Sequence, residues 1–218
     1  MSGHSGPLHS KIGAQVNATT PIAILISGRG SNMQAIVGAI GLGQVHATVR
    51  IVVSNRADAP GLAWAREAGL ETLVLPHREY PTRQAYDHAL VAALRERGVT
   101  LVCLAGFMRI LGPNFCEAYP NAVLNVHPAL LPAFPGVDAQ RQALEYGVRV
   151  TGVTVHFVTP ELDAGPIVAQ VTVPVKDDDT VESLSARMLA QEHRLFPLAL
   201  QSVIQGGWRI EGRRVVFG

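Results

Sequence analysis

Cysteine and charge are both scarce in this chain. Its 218 residues hold two cysteines, Cys103 and Cys116, too few for a disulfide framework. Cys103 sits in the apolar run Leu101-Val102-Cys103-Leu104 and reads as a small core hydrophobe, which fits a reducing, cytoplasmic setting. Charged residues make up only 16%, and 18 basic against 17 acidic side chains leave a formal net charge of +1. That balance supplies no bulk field for a nucleic-acid backbone or a membrane surface, although a local basic pocket stays open. No stretch approaches the roughly 18 consecutive apolar residues of a membrane span. Internal repeats are absent as well. The hydrophobic share of 48% is ample for a core and excludes global disorder, and the length suits one α/β domain better than two small ones.

The first 20 residues, MSGHSGPLHSKIGAQVNATT, are rich in Gly, Ser and His and lack the apolar stretch of a secretory signal, so they read as a disordered extension. A single domain is expected over 21–218. Strands are expected at Ile22–Ile26, Ala47–Val53, Thr72–Leu75 and Thr100–Leu104, with helices near Asn32–Ile40, Ala59–Ala68 and Thr82–Arg97 between them. Leu62 and Ala65 point inward from the second helix; Tyr86, Leu90, Ala93 and Leu94 form the stripe of the third. Short apolar strands alternating with amphipathic helices indicate a mostly parallel, Rossmann-like sheet flanked by helices on both faces. Beyond it come strands at Ala122–Val126, Val150–Val158 and Ile167–Val175. A long helix then runs from about Asp179 to Ile204, with Asp179 and Glu182 at capping-box spacing and Pro197 as a kink, before a terminal hairpin over Trp208–Phe217.

Three segments carry chemistry. Ser27-Gly-Arg-Gly-Ser-Asn32 joins the first strand to the first helix, where free backbone N–H groups and the helix dipole favour an anion. A dinucleotide site would want Gly or Ala where Met33 stands and an acidic residue after the second strand, which instead ends Ser54-Asn55-Arg56. The loop is therefore a phosphate cradle without a ribose-reading carboxylate, or else a plain turn capped by Ser31 or Asn32. The segment Asn125-Val-His127-Pro leaves the end of the fifth strand, and alternation sends Asn125 and His127 to one side. An amide and an imidazole aimed together suit a developing oxyanion, although a histidine before proline is also an ordinary loop residue. Asp163, in Glu161-Leu-Asp-Ala-Gly-Pro166, is a turn former; if it reached His127 it would favour the protonated ring. His156 reads as an interior histidine satisfied by hydrogen bonds. A metal held by His127, His156 and Asp163 is disfavoured, because none shows zinc-ligand spacing.

Together these pieces resemble the phosphoribosylglycinamide formyltransferases within the wider formyltransferase superfamily. The resemblance covers about Ile22 to Arg214 and rests on Ser27-Gly-Arg-Gly-Ser-Asn-Met-Gln34, Leu104-Ala-Gly-Phe-Met-Arg-Ile-Leu111, Asn125-Val-His-Pro-Ala-Leu-Leu-Pro132 and Val155-His-Phe-Val-Thr-Pro-Glu-Leu-Asp-Ala-Gly-Pro166. It implies transfer of the formyl group of 10-formyltetrahydrofolate to the amine of 5'-phosphoribosylglycinamide (GAR), an early step of de novo purine synthesis. By motif match, Asn125, His127 and Asp163 are the catalytic residues. Gly30, Ser31 and Asn32 would hold the GAR phosphate and Glu192 its ribose, a residue that otherwise reads as an exposed helical carboxylate. Met108, Arg109, Ile110 and Leu111 would line the folate pocket with Asn125, facing a wall of Thr159, Pro160, Glu161, Leu162 and Asp163. Arg83 would meet the acidic tail of the folate. The implied partners are these two small molecules, with no metal, no nucleic acid and no membrane, in a cytoplasmic monomer or homodimer.

One departure stands out. After Pro135-Gly136 the resembled family commonly carries a His-x-His pair, where this chain has Asp138 and Gln140. Formyltetrahydrofolate deformylase and sugar N-formyltransferases share the scaffold and are the alternatives; the former normally carries an additional N-terminal regulatory domain. Methionyl-tRNA formyltransferase would need a further basic RNA-binding domain. A non-catalytic phosphate- or folate-binding module is disfavoured by the presence of Asn125, His127 and Asp163 together.

Overall fold

The computed structural model describes residues 19–218, so most of the expected N-terminal extension lies outside the described residues. Thr20, expected in that extension, instead opens the first strand. The elements are β1 (Thr20–Ile26), α1 (Ser31–Gly41), β2 (Ala47–Ser54), α2 (Pro60–Glu67), β3 (Thr72–Val74), α3 (Arg83–Glu96), β4 (Leu101–Leu104) and α4 (Pro113–Ala118). They continue with β5 (Val123–His127), α5 (Ala139–Tyr146), β6 (Val150–Phe157), β7 (Ile167–Pro174), α6 (Val181–Gln205), β8 (Trp208–Glu211) and β9 (Arg214–Phe217). The expected strands and long helices are therefore present within a residue or two of their anticipated limits. The short helices α4 and α5 were not anticipated. Each offers at most eight residues, too little length for a helical period to stand out.

All nine strands form one sheet in the order β3-β2-β1-β4-β5-β6-β7-β9-β8. The first five are mutually parallel, and β6 and β7 then add antiparallel strands. From β1 the chain moves outward to β2 and β3, then returns to place β4 on the other side of β1. That reversal is the topological switch point, and it opens a crevice beyond the carboxyl ends of β1 and β4.

Strand alternation builds a core on each face. Ile22, Ile24 and Ile26 of β1 pack with Met33 and Ile36 of α1, Leu62 of α2 and Met188, Phe196 and Leu200 of α6. Ala23 and Leu25 point the other way, into Tyr86, Leu90 and Leu94 of α3 and Phe115 of α4. Of the stripe expected on α3, Tyr86, Leu90 and Leu94 are buried and Ala93 is half-buried, while Asp87 and Val91 are buried in addition. A buried carboxylate there breaks the apolar pattern and is invisible to periodicity.

The cap of α6 differs from expectation. Thr180, not Asp179, is the N-cap, and it shares a reciprocal capping box with Ser183. Asp179 instead accepts from the Lys176 amide, the Ser183 hydroxyl and the Arg187 guanidinium. These bonds hold its carboxyl below the usual range, the Lys176 amide contributing most. α6 runs on through Pro197 to Gln205.

Leu90 is fully buried between the sheet and α3. Leu90→Ala should cost about 2–5 kcal/mol, partly through the cavity left behind. The urea unfolding midpoint should fall while the m-value stays unchanged.

Candidate active site

The switch-point crevice is a cleft of about 810 Å³ lined by residues from Ser27 to Asn32, by Asn55 and Arg56, by His77 and Arg78, and by Ala105, Gly106 and Met108. Its floor is the amino end of α1. Gly30, with φ 71°, is the N-cap of this helix, so neither Ser31 nor Asn32 caps it. No side chain satisfies the first turn, and no acidic residue lies within it. The first-turn N–H groups and the dipole are thus left for an external anion.

Beneath this turn, Asn32 Nδ2 donates to Glu192 Oε2 at 2.6 Å. Glu192 is only 8% exposed, so it is not the exposed helical carboxylate that its sequence context allowed. Burial pushes its carboxyl above the ordinary value of 4.5, and the bond from Asn32 opposes that shift only in part. Asn32 Oδ1 is also buried and without a partner.

The second cluster forms where β5, β6 and the turn after β6 converge. β5 and β6 pair antiparallel, which sets Asn125 opposite His156 and His127 opposite Thr154. His156 is buried; its Nδ1–H donates to the Phe157 carbonyl at 2.9 Å, leaving Nε2, 3.2 Å from Asn125 Nδ2, to accept from that amide. The expected interior histidine is therefore present, and its task is to orient Asn125. Burial lowers the pKa of His156, keeping the neutral ring that this arrangement requires. Asp163 reaches both histidines, with Oδ2 3.5 Å from His127 Nδ1 and Oδ1 3.7 Å from His156 Nε2. His127 Nε2 lies 2.8 Å from the Phe134 carbonyl, so both of its ring nitrogens face acceptors.

The turn that delivers Asp163 leaves little choice of residue. Asp163 itself adopts φ 49°, and its Oδ2 accepts from the Gly136 amide at 2.8 Å. A Cβ on Gly165 would stand 1.8 Å from the Phe157 carbonyl oxygen, so only glycine lets the chain double back here.

The remaining anticipated residues fall around these two clusters. Met108 and Ile110 are exposed, as a binding wall needs, whereas Leu111 is buried in the core beside α3. Any folate contact from Leu111 must therefore come from its backbone. The Arg109 guanidinium lies over the Tyr86 ring at 4.7 Å, and it is drawn inward rather than offered to solvent. Asp87 accepts from the Gly112 amide at 2.8 Å and pins the end of this segment. Arg83 is exposed at the start of α3, beside Gly112 and outside the cleft lining. Thr159 is half-buried, while Pro160, Glu161 and Leu162 are exposed on the turn before Asp163. Asp138 precedes α5, and Gln140 lies in its first turn. Among the described residues, no group of three or more His, Cys, Asp or Glu side chains is arranged to hold a metal ion.

Residues 20–200 match the formyl transferase family. The chain belongs to that family. Among its relatives, the phosphoribosylglycinamide formyltransferase of Escherichia coli is 45% identical over 192 residues, 88% of each chain. The glycinamide ribonucleotide transformylase 1 of Symbiobacterium toebii superposes with a TM-score of 0.90 at 51% identity, over 92% of this chain and 95% of that one. The human trifunctional purine biosynthetic protein adenosine-3 is 48% identical over 85% of this chain, which spans about a fifth of such trifunctional relatives (18% of the human protein). A formyltetrahydrofolate deformylase from Pseudomonas syringae shares this formyl transferase's fold, with a TM-score of 0.84, at only 22% identity.

Sequence reasoning placed Ser27 in the glycine loop without a role of its own, and it missed Asn55 as a cleft residue and Asp87 as the anchor of Gly112. Ser27 and Asn55 stand at the ends of β1 and β2, where a buried polar residue signals a loop-holding role. Asn55 drew notice only for not being acidic. Glu192 yields a pH prediction. A carboxyl whose folded pKa is raised binds protons more tightly when folded, so its contribution is full below 4.5 and is lost as pH rises through the raised value. Glu192→Gln should therefore gain stability relative to the parent protein as pH climbs through that window. Urea midpoints measured from acid to neutral pH check this, and a constant offset would contradict it.

Proposed function

We propose that the protein transfers the formyl group of 10-formyltetrahydrofolate to the amine of GAR, giving formyl-GAR and tetrahydrofolate in purine synthesis. The observation that carries the reading is the pairing of an uncapped helix start with an Asn125, His127 and Asp163 cluster in a chain whose nearly full-length relatives carry that activity. The phosphate of GAR would sit on the amides of Gly30, Ser31 and Asn32, and Glu192 would accept from its ribose. The folate would lie along Met108, Arg109, Ile110 and Leu111, bounded by Thr159 to Asp163, with Arg83 near its acidic tail.

Held side by side, the amine and the formyl carbon react as if within one molecule. Attack gives a tetrahedral oxyanion. Asn125 has one amide hydrogen engaged by His156, and its second is free to stabilise that charge. In its protonated form His127, facing Asp163, would donate to the departing folate nitrogen, while the proton lost by the attacking amine would pass through a water to Asp163. For this the Phe134 carbonyl must yield Nε2 to the substrate. Phe134 sits at φ 53° in an irregular stretch before α5, with its ring edge-on to Tyr146 at 5.9 Å. The same reading entails small-molecule partners, a cytoplasmic setting, and a monomer or homodimer working without a metal. The catalytic domain would include Thr20, the first residue of β1, and run to 218, with the residues before it an extension. No helix of the described chain is long and apolar enough to cross a membrane.

The decisive experiment follows loss of the formyl group from 10-formyltetrahydrofolate with and without GAR. Turnover is expected only with GAR, yielding formyl-GAR; equal turnover without it would make the protein a deformylase, and silence in both would redirect attention to amino-sugar acceptors. Asp163→Asn should lower kcat by roughly 100-fold or more with little change in KM, since it acts on the charge of the transition state. A variant retaining wild-type kcat would remove Asp163 from the mechanism.

A further inference from the structure

At the switch point the two strands that carry the site part company. The last bonds between them run from the Ala105 amide to the Leu25 carbonyl, 2.9 Å, and from the Ser27 amide to the Gly106 carbonyl, 3.1 Å. Beyond these the chain of β1 turns into the phosphate cradle, and that of β4 turns into the segment beginning at Met108. One further bond spans the gap, and it uses a side chain: the Met108 amide donates to Ser27 Oγ at 2.8 Å. The hydroxyl donates in turn to Asn55 Oδ1 at 2.6 Å, and Asn55 Nδ2 lies 3.3 Å from His77 Nδ1 on the far rim of the cleft. Ser27 and Asn55 are each only 5% exposed.

Resting on the formyl-transfer reading, we propose that Ser27 and Asn55 are positioning residues that fix the spacing between the phosphate cradle and the folate wall. Neither need touch a substrate for this. Ser27 is the residue from which the cradle departs, and Met108 opens the wall, so their bond sets the distance between the two bound molecules. The hydroxyl works because it both accepts and donates, and Asn55 anchors it from β2, outside both loops. Removing it leaves the Met108 N–H without its acceptor at the cleft wall and Asn55 Oδ1 without its donor at a buried position. The loops then settle at a different separation. Each can still bind its own ligand, but the amine and the formyl carbon lose their alignment, to which the rate is far more sensitive than affinity is.

Three variants and three readouts test this. Ser27→Ala and Asn55→Leu should lower kcat by roughly 10- to 100-fold. Their affinities for GAR alone and for tetrahydrofolate alone, by calorimetry with the stoichiometry confirming folded protein, should stay within about threefold of wild type. Asn55→Asp keeps an oxygen to accept from Ser27 and should retain most of kcat. A kcat unchanged in Ser27→Ala overturns the proposal, as does a fall matched by equal loss of both binding affinities, which would mean general support of the loops. Amide hydrogen exchange reads the relay without reference to turnover. Protection of the Met108 amide should drop in Ser27→Ala and Asn55→Leu, and unchanged protection overturns the relay. Should the wild-type protein fail to use GAR while Met108 protection responds as expected, the formyl-transfer reading fails and the structural link between the loops stands.

Discussion

The parting of β1 and β4 at their carboxyl ends is the constraint on which the site depends. A parallel sheet that reverses its strand order must open there, because the two connections leave toward opposite faces. The opening exposes the amino end of α1 on one side and the chain after β4 on the other, and a cleft follows. Everything else serves to keep that opening at a useful width. Ile22, Ile24 and Ile26 tie β1 to α1 and α6, while Ala23 and Leu25 tie it to α3, so the central strand cannot tilt toward either core.

The chemistry is assembled beside the crevice by a change of strand direction. Antiparallel pairing sets His156 against Asn125, and the tight turn that follows β6, closed by Gly165, brings the Asp163 carboxylate within reach of both histidines. Two histidines close to one carboxylate then take different roles through their partners. His156 is locked neutral by burial and by its bonds to the Phe157 carbonyl and Asn125, whereas His127 faces acceptors at both nitrogens.

Much of the fold was legible in order of appearance, because short apolar strands and amphipathic helices have distinct periods and are long enough here to show them. The exceptions share a cause. α4 and α5 are too short for a period to register, and the α6 cap moved from Asp179 to Thr180 because Asp179 found stronger donors in Lys176 and Arg187. In the site, the residues carrying charge or a special turn were recognisable, since Gly30, His127 and Asp163 each stand out locally. Residues that act by holding others were not. Ser27, Asn55 and Asp87 are ordinary polar residues whose partners lie between 22 and 81 positions away along the chain.

Local order along the chain thus determined the alternation of strands and helices, the glycine turn that opens α1, and the pair of motifs that bring an amide, an imidazole and a carboxylate. Those depend on neighbouring residues, and neighbours are what a sequence displays. Tertiary structure alone decided that Glu192 is buried against Asn32 across 160 residues, that Leu111 faces the core while Met108 faces the cleft, and that one hydroxyl bridges the two walls. Burial and partnership at such separations are set by how the layers stack, a property of the whole sheet that no window of sequence contains.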